Sequence, residues 1–219
     1  MHLLTAEHIS AIAICFGLEA SDAQLLAAEM TVRDYPARAK IALRGDPLVH
    51  LFLVTSGSAS FDLFGVDGQY AQLAGYGPGE IFGAYPDITT HRADVTALGN
   101  LSALVIETAV MAALVASHRA IAEGLAKLMS RQLDIILDRM AARIGLSANG
   151  RFHRALLQRA DGEGWIRPAP VISALAISVN TSRETASRAL AALIRRGIIE
   201  RSDQGMRIVS RRMLEELVV

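Results

Sequence analysis

The chain has 219 residues, 52% hydrophobic and 20% charged, with a formal net charge of zero, a globular composition long enough for one large domain or two modest ones. No apolar run reaches the ~18 residues of a membrane span, and the first residues lack the basic start and small-residue cleavage site of a signal peptide. Cys15 is the single cysteine, which excludes an internal disulfide and a cysteine-built iron–sulfur or zinc centre and fits a cytoplasmic protein.

In chain order, Met1 to Met30 reads as helical and alanine-rich, with Ser21 as the expected cap of "SDAQLLAAEM". From Thr31 the texture changes to short segments of alternating apolar residues: "TVRDYPARAKIAL", "HLFLVTSGSASFDLF", "YAQLAGYGPGEIFG" and "DVTALGNLSALVIET". Turn signals at Gly45-Asp46-Pro47, Ser56-Gly57, Val66-Asp67-Gly68 and Gly77-Pro78-Gly79 punctuate them. Many short strands with glycine turns predict a small β-barrel of jelly-roll type.

From Thr108 helical patterns return: "TAVMAALVASH" as a short helix, then "RAIAEGLAKLMSRQLDIILDRMAARIGL" as one long one, a rod of about 40 Å. Leu125, Met129, Gln132, Ile136 and Met140 recur at spacings of three and four, and Leu128, Leu133, Ile135 and Leu137 add a second apolar edge. Two edges predict two contacts, one with the barrel and one with a second copy of the helix. "LSANG", Leu146 to Gly150, reads as a hinge. The last segment predicts an amphipathic helix in "RFHRALLQRA", a loop or short strand in "GEGWIRPAP", and a short helix in "VISALAISV". A tight turn at Asn180-Thr181, the helix "SRETASRALAALIRRG" and a β-hairpin in "IIERSDQGMRIVS" follow. That is the layout of a winged helix-turn-helix.

The zero net charge hides an asymmetry. From Arg151 onward there are twelve arginines against seven acidic residues, an excess of five positive charges that the preceding residues offset. A basic module attached to an acidic one points to a polyanion partner. Within the helix after Asn180, Ser182 is placed to cap, Ala186, Ala189, Leu190, Leu193 and Ile194 form the expected buried face, and Gly197 closes it. Arg183, Glu184, Ser187 and Arg188 are left together on the other face near the N-terminus, the end such helices present to the major groove. Arginine forks to guanine O6 and N7, and glutamate accepts from cytosine N4. Ser182 and Thr185 can reach phosphates beside the helix amides.

These residues carry a resemblance. "VNTSRETASRALAALIRRGII" resembles the recognition segment of the CRP/FNR-type transcription regulators, the family of the cyclic-AMP receptor protein, and the likeness extends over nearly the whole chain, including "GPGEIFG" and "HRADVTA". It implies an α+β fold with a cyclic-nucleotide-binding-like barrel and N-terminal helices over 1–107, a dimerisation helix region over 108–146 and a winged helix-turn-helix over 147–219. It implies a homodimer on double-stranded DNA with a palindromic operator, a half-site similar to TGTGA, RNA polymerase as a candidate partner, and no membrane. Arg183, Glu184 and Arg188 would read bases, and Ser182 and Thr185 would touch phosphate.

In nucleotide-binding members a "GE" in a glycine-rich loop serves the phosphate and ribose, which on the resemblance falls to Gly79, Glu80 and Ile81. An arginine further on neutralises the phosphate. Ungapped, "HRADVTA" puts His91 there and Arg92 one residue later, and a one-residue shift in a strand turns a side chain to the opposite face unless a bulge restores it. Where relatives offer hydroxyls from the dimer helix to the purine, this chain has Ile136 and Leu137, which cannot hydrogen-bond a base edge. An effector other than cAMP is therefore expected. A barrel that is only a dimer platform, and a response to cAMP or cGMP, stay open. Haem is not favoured, although His50, His91 and Cys15 are candidate axial ligands. No catalytic constellation is found: "GYGPGE" lacks the Walker lysine and the Rossmann spacing, and the six histidines show no paired metal spacing. The chain is not expected to be an enzyme.

Overall fold

The computed structural model describes residues 4–64 and 70–218, so the turn expected at Val66-Asp67-Gly68 lies outside the described residues. The chain divides into two compact units, Met1–Ile135 and Ile136–Val219.

The first unit opens with two helices, α1 (Ala6–Phe16) and α2 (Ala20–Ala28), separated where Gly17 takes a left-handed conformation at φ 66°. The second helix begins two residues earlier than expected: Glu19 is its N-cap and Ser21 lies inside it. Among the described residues ten strands follow: β1 (Thr31–Tyr35), β2 (Lys40–Ala42), β3 (Pro47–Leu48), β4 (His50–Ser56), β5 (Ala59–Phe64), β6 (Tyr70–Tyr76), β7 (Ile81–Gly83), β8 (Thr89–Thr90), β9 (Asp94–Ala97) and β10 (Leu101–Glu107). They form two four-stranded antiparallel sheets, in the orders β1-β10-β4-β7 and β2-β9-β5-β6, with β3 and β8 as a separate pair. This is the expected jelly roll.

The central strands of the first sheet, β10 and β4, are buried on both faces over most of their length, so they read as continuous hydrophobic runs rather than alternating ones. On β4, Leu51 and Leu53 pack with Ile12, Phe16, Leu26, Met111, Ile121 and Leu125 of the helices. The intervening Phe52 and Val54 face the second sheet and meet Ala59, Val95 and Ala97. That inner space is filled by aromatic rings. Phe82 stacks on Phe52 at 4.6 Å between centroids, with Phe61 at 5.3 Å and Tyr76 at 5.7 Å around it.

Helix α3 (Thr108–Ser117) leads to α4 (Arg119–Gly145), the long helix anticipated from the apolar stripes. Its buried positions are Ile121, Gly124, Leu125, Leu128 and Gln132. The backbone of Phe16 comes so close to Gly124 that a Cβ there would lie 2.7 Å from the Phe16 carbonyl oxygen. The two stripes do not separate as expected: Met129 and Met140 are exposed, whereas Leu125 and Gln132 of the same row are buried. At 100° per residue Met129 and Met140 stand about 40° and 60° around the helix from Leu125, whereas Gln132 stands about 20° to its other side. Among the described residues no single helix is long and apolar enough to cross a membrane.

The second unit contains the end of α4, α5 (Ala148–Arg159), β11 (Trp165–Ile166), α6 (Ile172–Ser178), α7 (Arg183–Arg195), β12 (Ile199–Ser202), β13 (Gly205–Ile208) and α8 (Arg211–Glu215). The expected hinge contracts to two residues. Ser147 caps α5, its hydroxyl accepting from the Gly150 amide at 3.0 Å, so Ala148, Asn149 and Gly150 are already helical. The three strands pair in the order β11-β13-β12 and form the wing. One core joins these elements through Phe152, Leu156, Ile166, Leu175, Leu190, Leu193, Ile199, Met206 and Ile208.

Candidate functional site

Helix α7 is placed by its buried side. Ala186, Ala189, Leu190 and Leu193 lie in the core of the second unit, as their spacing predicts. Ile194, expected beside them, is exposed, because one 100° step past Leu193 carries it off the packed face. Ser182 is the N-cap: its hydroxyl accepts from the Thr185 amide at 3.1 Å and donates to the Thr185 hydroxyl at 3.0 Å. Both hydroxyls first serve the helix start, and the amides they leave are the anion-binding end of a helix. At the other end, Gly197 at φ 67° closes the helix, with the Ile198 amide reaching back to the Leu193 carbonyl at 3.0 Å.

Arg183, Glu184, Ser187 and Arg188 are all exposed. Taking 100° per residue, they span about 140° of arc opposite the buried residues. The Glu184 carboxyl is held below its usual range, first by its own amide and by Ser182, then by the charges of Arg183 and Arg188. It is therefore an acceptor at neutral pH, on the same exposed side of the helix as two guanidinium donors. A planar fork beside an anionic acceptor is the chemistry that separates a G·C pair from its reverse in the major groove.

The turn that delivers α7 uses Asn180, a non-glycine residue at φ 54°, a conformation that asparagine tolerates better than most. The Thr181 amide donates to the Ala176 carbonyl at 2.9 Å. Two arginines outside the expected site residues converge here. Arg151, on α5, donates to the carbonyls of Val179, Asn180 and Leu146 at 2.8, 2.8 and 2.9 Å. Arg143, on α4, reaches the Asn180 side-chain oxygen at 2.9 Å with the amide in its hydrogen-bonded orientation. Spacing alone gives no signal for either residue, since their partners lie up to 37 positions away. On the wing, the guanidinium carbon of Arg167 lies 4.1 Å from the centre of the Trp165 ring, with that of Arg207 at 5.6 Å.

In the first unit, Gly79 sits in a turn at φ 82° and Glu80 closes it, the Gly77 amide donating to the Glu80 carboxylate at 3.2 Å. Glu80 is buried, so this carboxylate serves the turn. The Ile81 amide donates to Gln132 of α4 at 3.1 Å, fastening that helix to β7. The His91 amide donates to the Asp46 carbonyl at 2.9 Å, and its own carbonyl accepts from Gly45 at 2.8 Å. In the bend that leads into β9, His91 and Ala93 are buried and Arg92 between them is exposed. Ile136, half-buried, and Leu137, exposed, belong to the second unit. Cys15 is half-buried against the helical core, its thiol pushed up by burial and pulled back in part by Arg131.

Burial lowers the pKa of His91, with Asp46 opposing. The folded unit therefore favours the neutral ring, while the unfolded chain binds the proton at the ordinary value near 6.5. Stability is fully present above that value, falls as pH drops below it, and continues to fall until the folded-state pKa is passed. We expect His91→Gln to flatten the fall in Tm of the first unit between about pH 7.5 and 5. His50, also lowered by burial and by Arg33, leaves a residual slope. An unchanged profile would remove His91 from the pH dependence.

Comparison with known proteins agrees with this geometry. Residues 32–118 match the model of the cyclic nucleotide-binding domain, and residues 150–217 that of the Crp-like helix-turn-helix domain. The chain is 30% identical over 211 residues to a Thermus thermophilus protein named Cyclic AMP receptor protein, covering 92% of this chain and 94% of that one. It is 26% identical over 192 residues to a Mycobacterium tuberculosis protein named CRP-like cAMP-activated global transcriptional regulator, covering 84% and 86%. In fold it is similar to the structure of FixK2 from Bradyrhizobium japonicum, with a TM-score of 0.69 at 21% identity over 87% of this chain and 98% of that one. A barrel of this kind, followed by a long helix and a winged helix-turn-helix, makes the chain a member of the CRP/FNR-type family of DNA-binding transcription regulators, which are not enzymes.

Proposed function

We propose that the chain acts as a homodimer that reads a palindromic operator with Arg183, Glu184, Ser187 and Arg188, and that its barrel answers to an effector other than cAMP or cGMP in their usual pose. The observation that carries the reading is the face of α7: four exposed polar side chains at the N-terminal end of a helix whose opposite face is in the core. Ser182 and Thr185 stand at the same helix start as the phosphate contacts.

The dimer is supported by α4. Met129, Leu133, Leu137, Met140 and Ile144 recur at spacings of four, four, three and four, and all are exposed. Such a row is the seam of a two-helix coil. Two recognition helices about 34 Å apart enter successive major grooves, which makes the operator a palindrome. RNA polymerase is the candidate partner of a regulator bound there.

The choice of effector is supported by the barrel. Phe52, Phe61, Tyr76 and Phe82 fill the space between the sheets, and Arg92 is exposed while His91 beside it is buried. A charged phosphate there would meet aromatic rings and a neutral imidazole in place of a guanidinium. Control by cAMP is the second reading, favoured by the names of the 30% and 26% identical relatives.

Selection of the purified protein on a random duplex pool, with and without cAMP, tests both. The same palindrome in both conditions is the expected result. A palindrome recovered only with cAMP would establish the second reading. No enriched sequence in either condition, nor after trials of other effectors, would remove α7 as a reader.

A further inference from the structure

The last four carbonyls of a helix have no partners within it, and they are the negative end of its dipole. In the second unit two such ends meet. Leu146 directly follows α4, and Val179 and Asn180 directly follow α6. The Arg151 guanidinium sits between them, with Nη1 donating to Leu146 and Nε and Nη2 to Val179 and Asn180. Arg143, in the last turn of α4, donates to the Asn180 side chain through Nη1 at 2.9 Å and Nε at 3.3 Å. Asn180 lies two residues before Ser182, the N-cap of α7. Every one of these residues belongs to the same unit.

The arrangement has a specific chemical requirement. Three carbonyls approach one cation from three directions, which the rigid fork of arginine satisfies and the point charge of lysine does not. Two guanidinium groups share the space, which is unfavourable in itself; the carbonyls and helix ends supply the opposing potential. Helix packing alone would hold α6 against α7. It would not need the turn to be tied back to α4.

We propose that Arg151 and Arg143 are positioning residues that latch the start of the recognition helix to the end of α4. The latch makes the two helices move as one lever and fixes the half-site spacing that the protein accepts. The inference rests on the proposed dimeric reading of a palindrome. Loss of the latch should leave each recognition helix able to read its half-site while the distance between the two becomes variable.

The test compares wild-type protein, Arg151→Lys and Arg143→Gln on the palindrome selected from the random pool and on versions with one or two base pairs added at its centre. Arg151→Lys should lower affinity for the selected spacing about tenfold, the scale of coupling seen for residues that touch neither ligand. Affinity for the altered spacings should hardly change, so that spacing selectivity collapses. A uniform loss at every spacing, or no change at any, overturns the latch. Arg143→Gln removes the side-chain half alone and leaves the carbonyls capped, so it gives the same test should Arg151→Lys fail to fold. Failure of the wild-type protein to prefer any palindrome would count against the dimeric reading instead. Hydrogen exchange in the free protein then tests the latch alone: the amides from Thr181 to Ala186 should exchange faster in either variant, and unchanged protection there overturns it.

Discussion

Arg188→Ala should weaken operator binding about ten- to a hundredfold and relax base preference at one G·C position, the cost of one bidentate arginine–guanine pair. The side chain is exposed on α7 between Ser187 and the buried Ala189, so its removal opens no cavity. Alanine also suits a helix interior, and thermal stability should stay within about 0.5 kcal/mol of wild type. Anisotropy titrations on the selected palindrome and its single-base variants measure both effects. A loss equal on every variant operator, with a salt slope reduced by about one, would make Arg188 a phosphate contact instead.

Phe82→Ala should cost the first unit about 3–5 kcal/mol, the usual range for an aromatic ring deleted from a core. The ring is 5% exposed and meets Phe52, Phe61 and Tyr76, so the substitution removes three ring pairs along with the buried area. Urea unfolding should then show the transition of the first unit at lower denaturant while that of the second stays in place. The two cores share no residue. A single transition displaced as a whole would mean that the units unfold together.

Both results depend on features with different visibility in the sequence. The face of α7 is legible because a 13-residue helix repeats its apolar spacing several times, and because Ser182 and Gly197 mark its ends chemically. The jelly roll is legible as a class from its glycine turns. The individual pairings are not: β3 and β8 are two residues each, too short for a period to show. The continuous run Leu51 to Val54 hides the fact that alternate residues serve two different cores. The hinge reads too long because Ala, Asn and Gly after Ser147 look like loop residues, although the serine hydroxyl starts a helix through them. Arg151 looks like any polar residue on an amphipathic helix. Its role appears only once folding brings the carbonyls of Leu146 and Val179 to it.

Trp165 is the one tryptophan of the chain, and all four tyrosines, Tyr35, Tyr70, Tyr76 and Tyr85, precede it in the other unit. Light absorbed by indole alone therefore reports on the wing, without labelling, whatever happens in the barrel. The two neighbouring guanidinium groups make that emission sensitive to anything that draws them away from the ring. An anionic duplex pulling on Arg167 or Arg207 would register as a change in colour or intensity, an optical gauge that the chain itself carries.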